Sequence, residues 1–285
     1  MFKLSALFLI HFRKVSFLFL LITIHLAATV TLQASYLLLP MDAKQSNHLK
    51  AYGITYWVIA QNVDAFWLLN YRGGSFALPN VKLIEKECLT RGVNFEVITD
   101  AEFERIKAEI GNPEVNQDVI KLEKAPKIAV YTPELNEKGE RIQPWDDAVT
   151  MALVFAEIPF EKIYDKEIMG GMMVKYDWLH LHHEDFTGQY GKFYNGYRGA
   201  EWYQENQQRQ ERVANELGFK KVSQLKLAVA KKIKEYVVGG GFLFTMCSAT
   251  DSYDIALAAE GVDICENMFD GDGMDNDPDS KLDFT

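Results

Sequence analysis

Basic residues are outnumbered in this 285-residue chain, in which 30 lysines and arginines stand against 40 aspartates and glutamates. The formal net charge of −10 argues against a nucleic acid or an anionic membrane surface as a partner, because both bind to a basic face. Phosphate loops are lacking too. The segment LNYRGGSF fits neither GxGxxG nor GxxxxGK[ST]. Its Arg72 could bind a carboxylate or a phosphate, or the segment could simply be a tight turn. A nucleotide cofactor is therefore not expected.

Cysteine is scarce, with three residues in the whole chain. An odd number allows at most one internal disulfide if all pairs are intramolecular, and it leaves one thiol free. Cys88 lies in VKLIEKECLTRG, a helical pattern that predicts a small apolar residue packed in a core. Cys247 and Cys265 could pair with each other or remain free.

The first 34 residues have the pattern of a leader and are set aside from the fold. Three basic residues precede or flank the apolar stretch VSFLFLLITIHLAA, and small residues follow at Ala34 and Ser35. This order predicts a secretory signal peptide at residues 1–34 and an exported protein, periplasmic or extracellular after cleavage. Alternatively, residues 15–32 stay as an uncleaved membrane anchor, since they approach the ~18 residues of a membrane span. Cleavage would change the net charge from −10 to −13, because the leader carries three basic residues and no acidic one.

Strand and helix patterns alternate through the rest of the chain. Residues 36–112 are predicted to form an N-terminal α/β unit with strands at YLLLPM, AFWLLN and NFEVIT, and residues 113–125 a polar linker in which VIKL could be an edge strand. Residues 126–265 are predicted to form a second α/β domain, with strands at KIAVYT, EKIYD, YDWLHLHH and GFLFTM. This alternation predicts the α/β class, with parallel, doubly wound sheets covered by helices. Residues 266–285 carry six aspartates and one lysine, which predicts a solvated acidic tail, and the chain could be truncated there.

Histidines and acids cluster in LHLHHED, at the end of a predicted strand, where open parallel sheets bind their ligands. Alternation along a strand would place His180, His182 and Glu184 on one face and His183 and Asp185 on the other. Two imidazoles at i and i+2 with a third carboxylate ligand suit a divalent metal. His180, His182 and Glu184 are therefore candidate metal ligands. The alternative is that these histidines are hydrogen-bonded groups of a buried strand.

The strand GFLFTM leads directly into CSATDS, which suggests a nucleophile elbow. Cys247 would be the nucleophile at a sharp strand-to-helix turn, and the Ser248 N–H would contribute to an oxyanion hole. His182 or His183, from the neighbouring predicted strand, would act as the base. The candidate catalytic residues are Cys247, His182, His183 and Glu184, with Asp185 as an alternative to Glu184 for orienting the base.

Two other interpretations of CSATDS remain open. The segment could be a degraded form of the SGGxDS nucleotide loop of ATP pyrophosphatases, of which only Asp251 and Ser252 match. It could also be purely structural. Cys247 would then be a buried thiol, and Ser248, Thr250 or Asp251 would cap the following helix.

Aromatic residues concentrate directly after the histidines, where residues 186–203 contain seven aromatics and four glycines. A mobile aromatic loop beside a site could act as a lid or as a stacking platform for a sugar or a peptide. Equally, it could be an irregular loop that is anchored by buried aromatic side chains.

Several of these segments also carry a resemblance to a known family. SNHLKAYGITYWV, LLNYRGGSF, PWDDAVT, YDWLHLHHEDFTGQYGKFY and GGGFLFTMCSATDSYDIALAAEGVDICE together resemble exported bacterial proteins often labelled asparagine synthetase B. The resemblance covers most of residues 36–285. The second half also looks like the class I glutamine amidotransferase-like fold, a flavodoxin-like sheet with a cysteine elbow, which implies Cys247 as the nucleophile. The histidine and glutamate of that fold follow its cysteine as HxE, and residues 248–285 contain no histidine.

Three functions follow from these observations. The first is cysteine-dependent amide hydrolysis by an amidotransferase-like enzyme, for which no cofactor is expected unless the histidine cluster holds a divalent metal. The second is non-catalytic binding of a small molecule, a peptide or a carbohydrate by the same fold. The third, implied by the family label, is asparagine synthesis that depends on ATP and glutamine.

Overall fold

The structure, a computed structural model, describes residues 34–133, 147–190 and 193–285. The predicted signal peptide lies outside these ranges except for its last residue, Ala34. A search of the described residues for a helix long and apolar enough to cross a membrane found none.

The chain divides into two compact units, and the first comprises the residues up to Ser46 together with Asp64–Lys121. Its strands are β1 (Ala34–Leu39), β2 (Ala65–Leu69), β3 (Phe76–Pro79), β4 (Glu96–Thr99) and β5 (Asp118–Leu122). They form one sheet in the order β4-β1-β3-β2-β5. Helix α1 (His48–Ala60) belongs to the second unit, and α2 (Lys82–Thr90) and α3 (Asp100–Ile110) belong to the first.

The prediction of a parallel sheet is wrong for this first unit. Strand β1 pairs antiparallel with both β3 and β4, and β2 pairs antiparallel with β3. The sequence interpretation missed β3, which follows β2 after a turn of six residues. So short a connection joins antiparallel neighbours, whereas parallel neighbours need a crossover of a dozen residues or more. Arg72 lies in that turn, and its guanidinium group is bound by Asp42 and Glu96 at 2.8 and 2.9 Å, so Arg72 has the structural role.

The second unit comprises Asn47–Val63 and Leu122–Thr285, and its sheet confirms the parallel prediction for this half. Strands β6 (Ile128–Tyr131), β7 (Phe160–Ile163), β8 (Trp178–Leu181) and β9 (Phe242–Thr245) are ordered β7-β6-β8-β9, and every neighbouring pair is parallel. Its further helices are α4 (Ala148–Ala156), α5 (Asp165–Met169), α6 (Tyr194–Tyr197), α7 (Glu201–Glu216), α8 (Val222–Val238), α9 (Ser248–Ala258) and α10 (Asn267–Asp270).

Both faces of the second sheet are covered by apolar side chains. On one face, Tyr131 and Leu181 belong to a large core that includes residues of α5, α7, α8 and α9. On the other face, Ile128 and Val130 pack with Leu153 of α4, and Tyr56 of α1 lies against them. Parallel strands that are buried on both sides have near-continuous apolar sequences, which explains why KIAVYT was recognisable as a strand, since β6 is buried throughout. Strand β9 lies at the sheet edge and exposes Phe242 and Phe244.

The predicted boundaries differ from these units in two places. Helix α1 was expected in the N-terminal unit but groups with the second one. The segment predicted to be a linker, residues 113–125, contains β5 at the edge of the first sheet, in agreement with the suggested edge strand at VIKL.

Residues 266–285 are anchored to the second unit, where a free solvated tail had been predicted. The Lys221 ammonium binds the carboxylates of Asp263, Asp270 and Asp272, and the Asp283 N–H donates to the Ala258 carbonyl at 3.0 Å. Lys221 therefore neutralises part of the negative charge that had suggested a solvated tail. The paired residues are about 50 positions apart in the chain, and composition alone cannot reveal such a pairing.

Candidate functional site

A cavity of about 650 Å³ opens at the carboxyl ends of the second sheet's strands. Residues that follow β6, β8 and β9 line it, together with one face of α7. Its lining includes Asp147, Tyr164, His183, Glu184, Asp185, Gln189, Tyr190, Phe193, Trp202, Tyr203, Asn206, Arg209, Ser248 and Asp251. The cavity thus brings His183, Glu184 and Asp185 together with Ser248 and with the aromatic segment, whereas neither Cys247 nor His182 is among its lining residues.

Asp147 organises the histidine side of the cavity. Its Oδ1 accepts the N–H groups of Val149 and Thr150 at 2.9 and 2.8 Å and so caps α4. Its Oδ2 contacts His182 Nδ1 at 2.6 Å. Burial disfavours the ionised carboxyl, but the hydrogen bonds from His182 and Thr150 outweigh burial, and the pKa of Asp147 lies below its ordinary value. The carboxylate is therefore charged at neutral pH and holds the His182 ring in one orientation.

Asp147 was not among the predicted site residues. The sequence analysis counted on Glu184 or Asp185, which adjoin the histidines, to orient the base. The available signal was an aspartate at the start of the helix that follows strand KIAVYT in the chain, since such N-cap positions lie at the carboxyl edge of a parallel sheet.

His183 lies beside this pair and is half-exposed at the cavity wall. Its Nδ1 is 3.1 Å from His182 Nδ1 and 3.9 Å from Asp147 Oδ2. One ligand atom from each of Asp147, His182 and His183 lies within 4.8 Å of the other two. Two imidazoles and a carboxylate form a set that a divalent cation could use.

The predicted metal set of His180, His182 and Glu184 differs from this group, because the strand ends sooner than expected. Strand β8 stops at Leu181, so alternation between the two faces no longer applies beyond it. His183, Glu184 and Asp185 consequently line the same cavity, although alternation had separated Glu184 from the other two.

His180 is a core residue of the strand, as the alternative interpretation proposed, but it lacks the expected hydrogen bonds. Its ring stacks on Phe244 at 5.6 Å between centroids. Both ring nitrogens are buried and have no hydrogen-bond partner among the described residues. Burial, reinforced by His182, lowers the pKa of His180 to about 4, so the imidazole is neutral.

We predict that replacing His180 with Phe makes the protein more resistant to acid. Between pH 6.5 and about 4, the unfolded chain binds a proton at this histidine and the folded chain does not, so the wild type loses stability as the pH falls. The phenylalanine cannot titrate, and the variant should therefore gain up to about 3 kcal/mol over the wild type near pH 4. Urea unfolding at acid and neutral pH measures this difference. The exposed His48→Gln variant is the control, and an equal gap between H180F and the wild type at both pH values would contradict the prediction.

Glu184 provides a carboxyl group with an unusual proton affinity. Burial raises the pKa of Glu184 to about 7, although the hydrogen bond from the His182 N–H opposes this rise. Its side chain lines the cavity. The group is therefore poised to exchange a proton near neutral pH, and it does not contact the His182 ring as an orienting acid.

Cys247 occupies a strained turn between β9 and α9. Its backbone angles are φ 52° and ψ −141°, in a region that non-glycine residues seldom adopt and that occurs at functional turns. The thiol-bearing side chain is exposed and forms no disulfide, and Cys265 is a separate buried thiol. The expectation of a sharp elbow is thus met by the geometry, and the interpretation of Cys247 as a buried thiol is wrong.

Hydrogen bonds that do not involve the Cys247 thiol join the turn at Cys247 to the loop that contains His182 and His183. The Ser248 hydroxyl donates to the His183 carbonyl at 3.0 Å, and the Ala249 N–H donates to the His182 carbonyl at 3.3 Å. These bonds are made by backbone and hydroxyl groups and not by the Cys247 thiol. The structure therefore joins the two residues that follow Cys247 to the backbone of both predicted bases, and no hydrogen bond links the thiol to an imidazole among the described residues.

The aromatic segment is anchored by buried rings, as one of its two interpretations expected, and other rings of it line the cavity. Phe186, Tyr190 and Tyr203 are buried anchors, whereas Phe193 and Trp202 are partly exposed and line the cavity. Tyr190 and Tyr203 line it as well, so buried and exposed rings together form an aromatic wall of the cavity, made by Tyr190, Phe193, Trp202 and Tyr203.

Comparison with known proteins does not add a family to this description. No protein-family model matches the chain, and no curated protein or solved structure is significantly similar to it. The resemblance expected from the sequence motifs therefore stays a prediction, and the function has to be inferred from the geometry of the site.

Proposed function

We propose that this protein is a cysteine-dependent hydrolase of amide or ester bonds. The observation that carries the proposal is the strained backbone of Cys247, which presents an exposed thiol between a parallel strand and a helix N-terminus. Strained strand-to-helix turns of this kind expose the nucleophile of many hydrolases. The His182–Asp147 pair at the end of the adjacent strand supplies the groups that such a nucleophile needs.

In the proposed mechanism, His182 takes the proton of the Cys247 thiol while the sulfur attacks the carbonyl carbon of the substrate. Asp147 accepts the Nδ1–H of His182, which leaves Nε2 as the basic atom. The tetrahedral intermediate collapses to a thioester as His182 gives the proton to the leaving amine or alcohol. Water then attacks the thioester with the same base, and the thiol and the acid are released.

The N-terminus of α9 suits the negative charge that develops on the carbonyl oxygen. The first N–H groups of a helix lack partners inside it, and the helix dipole favours an anion there. The Ser248 N–H directly follows the nucleophile, which is the usual place of one oxyanion donor. His183, beside His182, is the second candidate base from the sequence.

The strand order supports the finer fold assignment that we propose. Numbered within the second unit, the order β7-β6-β8-β9 is 2-1-3-4, which corresponds to the start of the flavodoxin-like order 2-1-3-4-5. Helices on both faces fit a doubly wound sheet. Asp147 follows β6 and His182 follows β8, on either side of the point where the strand order reverses, and ligands bind there in such sheets. The amidotransferase-like assignment and export through residues 1–34 remain parts of the proposal.

A non-catalytic binding protein is the second candidate. The large cavity with its aromatic wall favours this function independently of Cys247, since ligand sites are typically concave, partly apolar and largely preformed. The asparagine synthetase function gains less support, because the CSATDS turn lacks the glycines through which a nucleotide loop approaches phosphate.

An acyl-enzyme experiment tests the proposed hydrolase. The full chain is mixed with 4-nitrophenyl acetate, and the release of 4-nitrophenol is followed before the steady state. We expect a stoichiometric burst and an acetyl group, detected by peptide mass mapping, on Cys247 only. The buried Cys88 and Cys265 serve as internal controls, and EDTA should leave the burst unchanged.

Two results would contradict the proposal. One is a Cys247→Ala variant that hydrolyses the ester as fast as the wild type. The other is loss of the burst on removal of divalent metal, because His182 would then be a metal ligand of the Asp147–His182–His183 group and not a base.

A further inference from the structure

Two buried polar groups of the cavity wall have no partner. The Tyr203 side chain is 2% exposed, and its hydroxyl makes no hydrogen bond to any described residue. Asp185 accepts the Thr187 N–H and hydroxyl at 2.7 and 2.6 Å through Oδ1, whereas its buried Oδ2 accepts nothing from the described part of the chain. A buried polar group without a partner costs free energy, so these two atoms indicate a ligand.

The two groups belong to the wall of one cavity, and the Asp185 charge contributes to the electrostatics at the Tyr203 phenol. Burial, followed by the neighbouring Tyr194 and Asp185, raises the pKa of Tyr203. The phenol therefore keeps its proton at neutral pH and offers a neutral oxygen beside a carboxylate. Both residues line the same cavity as Ser248 and His183.

The surroundings of these groups favour a cation. Four carboxyl-bearing residues line the cavity, namely Asp147, Glu184, Asp185 and Asp251, against the single guanidinium of Arg209 and the imidazole of His183. The rings of Tyr190, Phe193 and Trp202 line it as well, and the faces of such rings attract cations. An anionic ligand would meet repulsion from the acids.

We propose that Asp185 and Tyr203 bind a primary ammonium group of the ligand, with the aromatic wall packed around the carbon atoms next to it. The ligand would be an amine, such as an amino compound or a peptide with a free amino group. This inference rests on the proposed function only in naming that amine as the substrate of Cys247.

An ammonium group supplies the hydrogen-bond donors and the positive charge that the unpartnered groups of the cavity wall require. It has three N–H donors and no acceptor, so it can donate to Asp185 Oδ2 and to the Tyr203 oxygen and keep a third donor for the amide oxygen of Gln189, which also lines the cavity. Its positive charge compensates the buried carboxylate, which a neutral hydroxyl cannot do.

Calorimetric titration with two matched probes tests whether the site prefers a positively charged ligand to a neutral one. Benzylamine is a cation at neutral pH and benzyl alcohol is its neutral counterpart, and both have an aromatic ring for the wall. We expect the full chain to bind benzylamine about tenfold more tightly or better, because a charge-assisted contact is worth roughly twice a neutral one. Equal binding of the two probes, or binding of neither, would overturn the proposal.

Two variants locate the site. Asp185→Asn keeps an oxygen for Thr187 but turns Oδ2 into a donor, so benzylamine should bind about tenfold more weakly while benzyl alcohol is little affected. Tyr203→Phe removes only the unpartnered hydroxyl, so it should weaken benzylamine about threefold and leave the Tm of the free protein unchanged or higher. A D185N variant that keeps the full preference for the amine would exclude Asp185 as its partner.

Cys247→Ala separates this inference from the proposed function. The variant should still prefer benzylamine, because the thiol takes no part in binding the ammonium group. If acylation of Cys247 fails while this preference persists, the hydrolase is excluded and the site is that of an amine-binding protein. If acylation succeeds without the preference, the hydrolase stands and the ammonium site is excluded.

Discussion

Replacing Lys226 with Met is expected to lower the free energy of unfolding by about 3–5 kcal/mol. Lys226 lies on α8 and is 1% exposed at its side chain, and its partner Asp165, the first residue of α5, is 0% exposed. The ammonium lies 2.9 Å from the Asp165 carboxylate and 2.9 Å from the Tyr131 hydroxyl. The variant would leave the carboxylate buried without its counter-charge, and an uncompensated buried charge is among the most destabilising changes in a protein.

The protonation of Lys226 agrees with this interpretation. Burial opposes the charged form, but Asp165 and Tyr164 outweigh burial, and the pKa of Lys226 lies above its ordinary value. The lysine is therefore charged at neutral pH, and it contacts the Tyr164 hydroxyl at 3.3 Å beside the cavity that Tyr164 helps to line.

A second lysine on the same helix provides the matched control. Lys231 pairs with Glu260 at the surface, where both side chains are about half exposed, and Lys231→Met should change stability by less than about 1 kcal/mol. Chemical denaturation of both variants gives the comparison. The double variant Lys226→Met, Asp165→Leu should recover much of the loss, because two apolar groups leave no charge unpaired. Equal losses for K226M and K231M would show that the buried pair is not a major source of stability.

The elements of the second unit could be predicted from the sequence because periodicity is local. The pattern VSQLKLAVAKKIKEYVV coincides with α8, and GFLFTM and KIAVYT contain β9 and β6. The pairing direction of the first unit was not predictable in the same way. It depends on β3, which follows β2 after a turn of six residues and was not recognised as a strand, and missing it turned a hairpin into an apparent parallel crossover.

The site shows the same division between local and long-range information. The Cys247 elbow was predictable because strand, turn and helix are consecutive in the chain. The partners that give the site its charges come from distant segments. Asp147 reaches His182 across 35 positions, and Lys226 reaches Asp165 across 61. Neither Asp147 nor Lys226 was singled out in the sequence, because the partner of each lies in another element. A single sequence contains no signal for such pairings beyond the topology of the sheet.

Asp147→Asn is expected to reduce kcat for ester or amide hydrolysis by about 10⁴-fold, if His182 is the base of the proposed mechanism. The asparagine amide can donate a hydrogen bond to Nδ1 and so favours the tautomer that carries its proton on Nε2. That tautomer cannot accept the Cys247 proton. The amide oxygen can still cap α4 through Val149 and Thr150, as Asp147 Oδ1 does, so stability should fall by no more than about 1 kcal/mol. The measurement is single-turnover acylation of Cys247 together with the Tm.

Asp147→Ser is the control that separates capping from orientation. A serine hydroxyl is a good N-cap but is too short to reach His182 in the way that the carboxylate does at 2.6 Å. This variant should also lose activity, although by less than D147N, because the imidazole is released but not forced into the wrong tautomer. If D147N retains the Tm and acylates Cys247 within tenfold of the wild-type rate, His182 is not the base. The base would then be sought at His183, whose replacement by Gln should in that case abolish the acylation that D147N left intact.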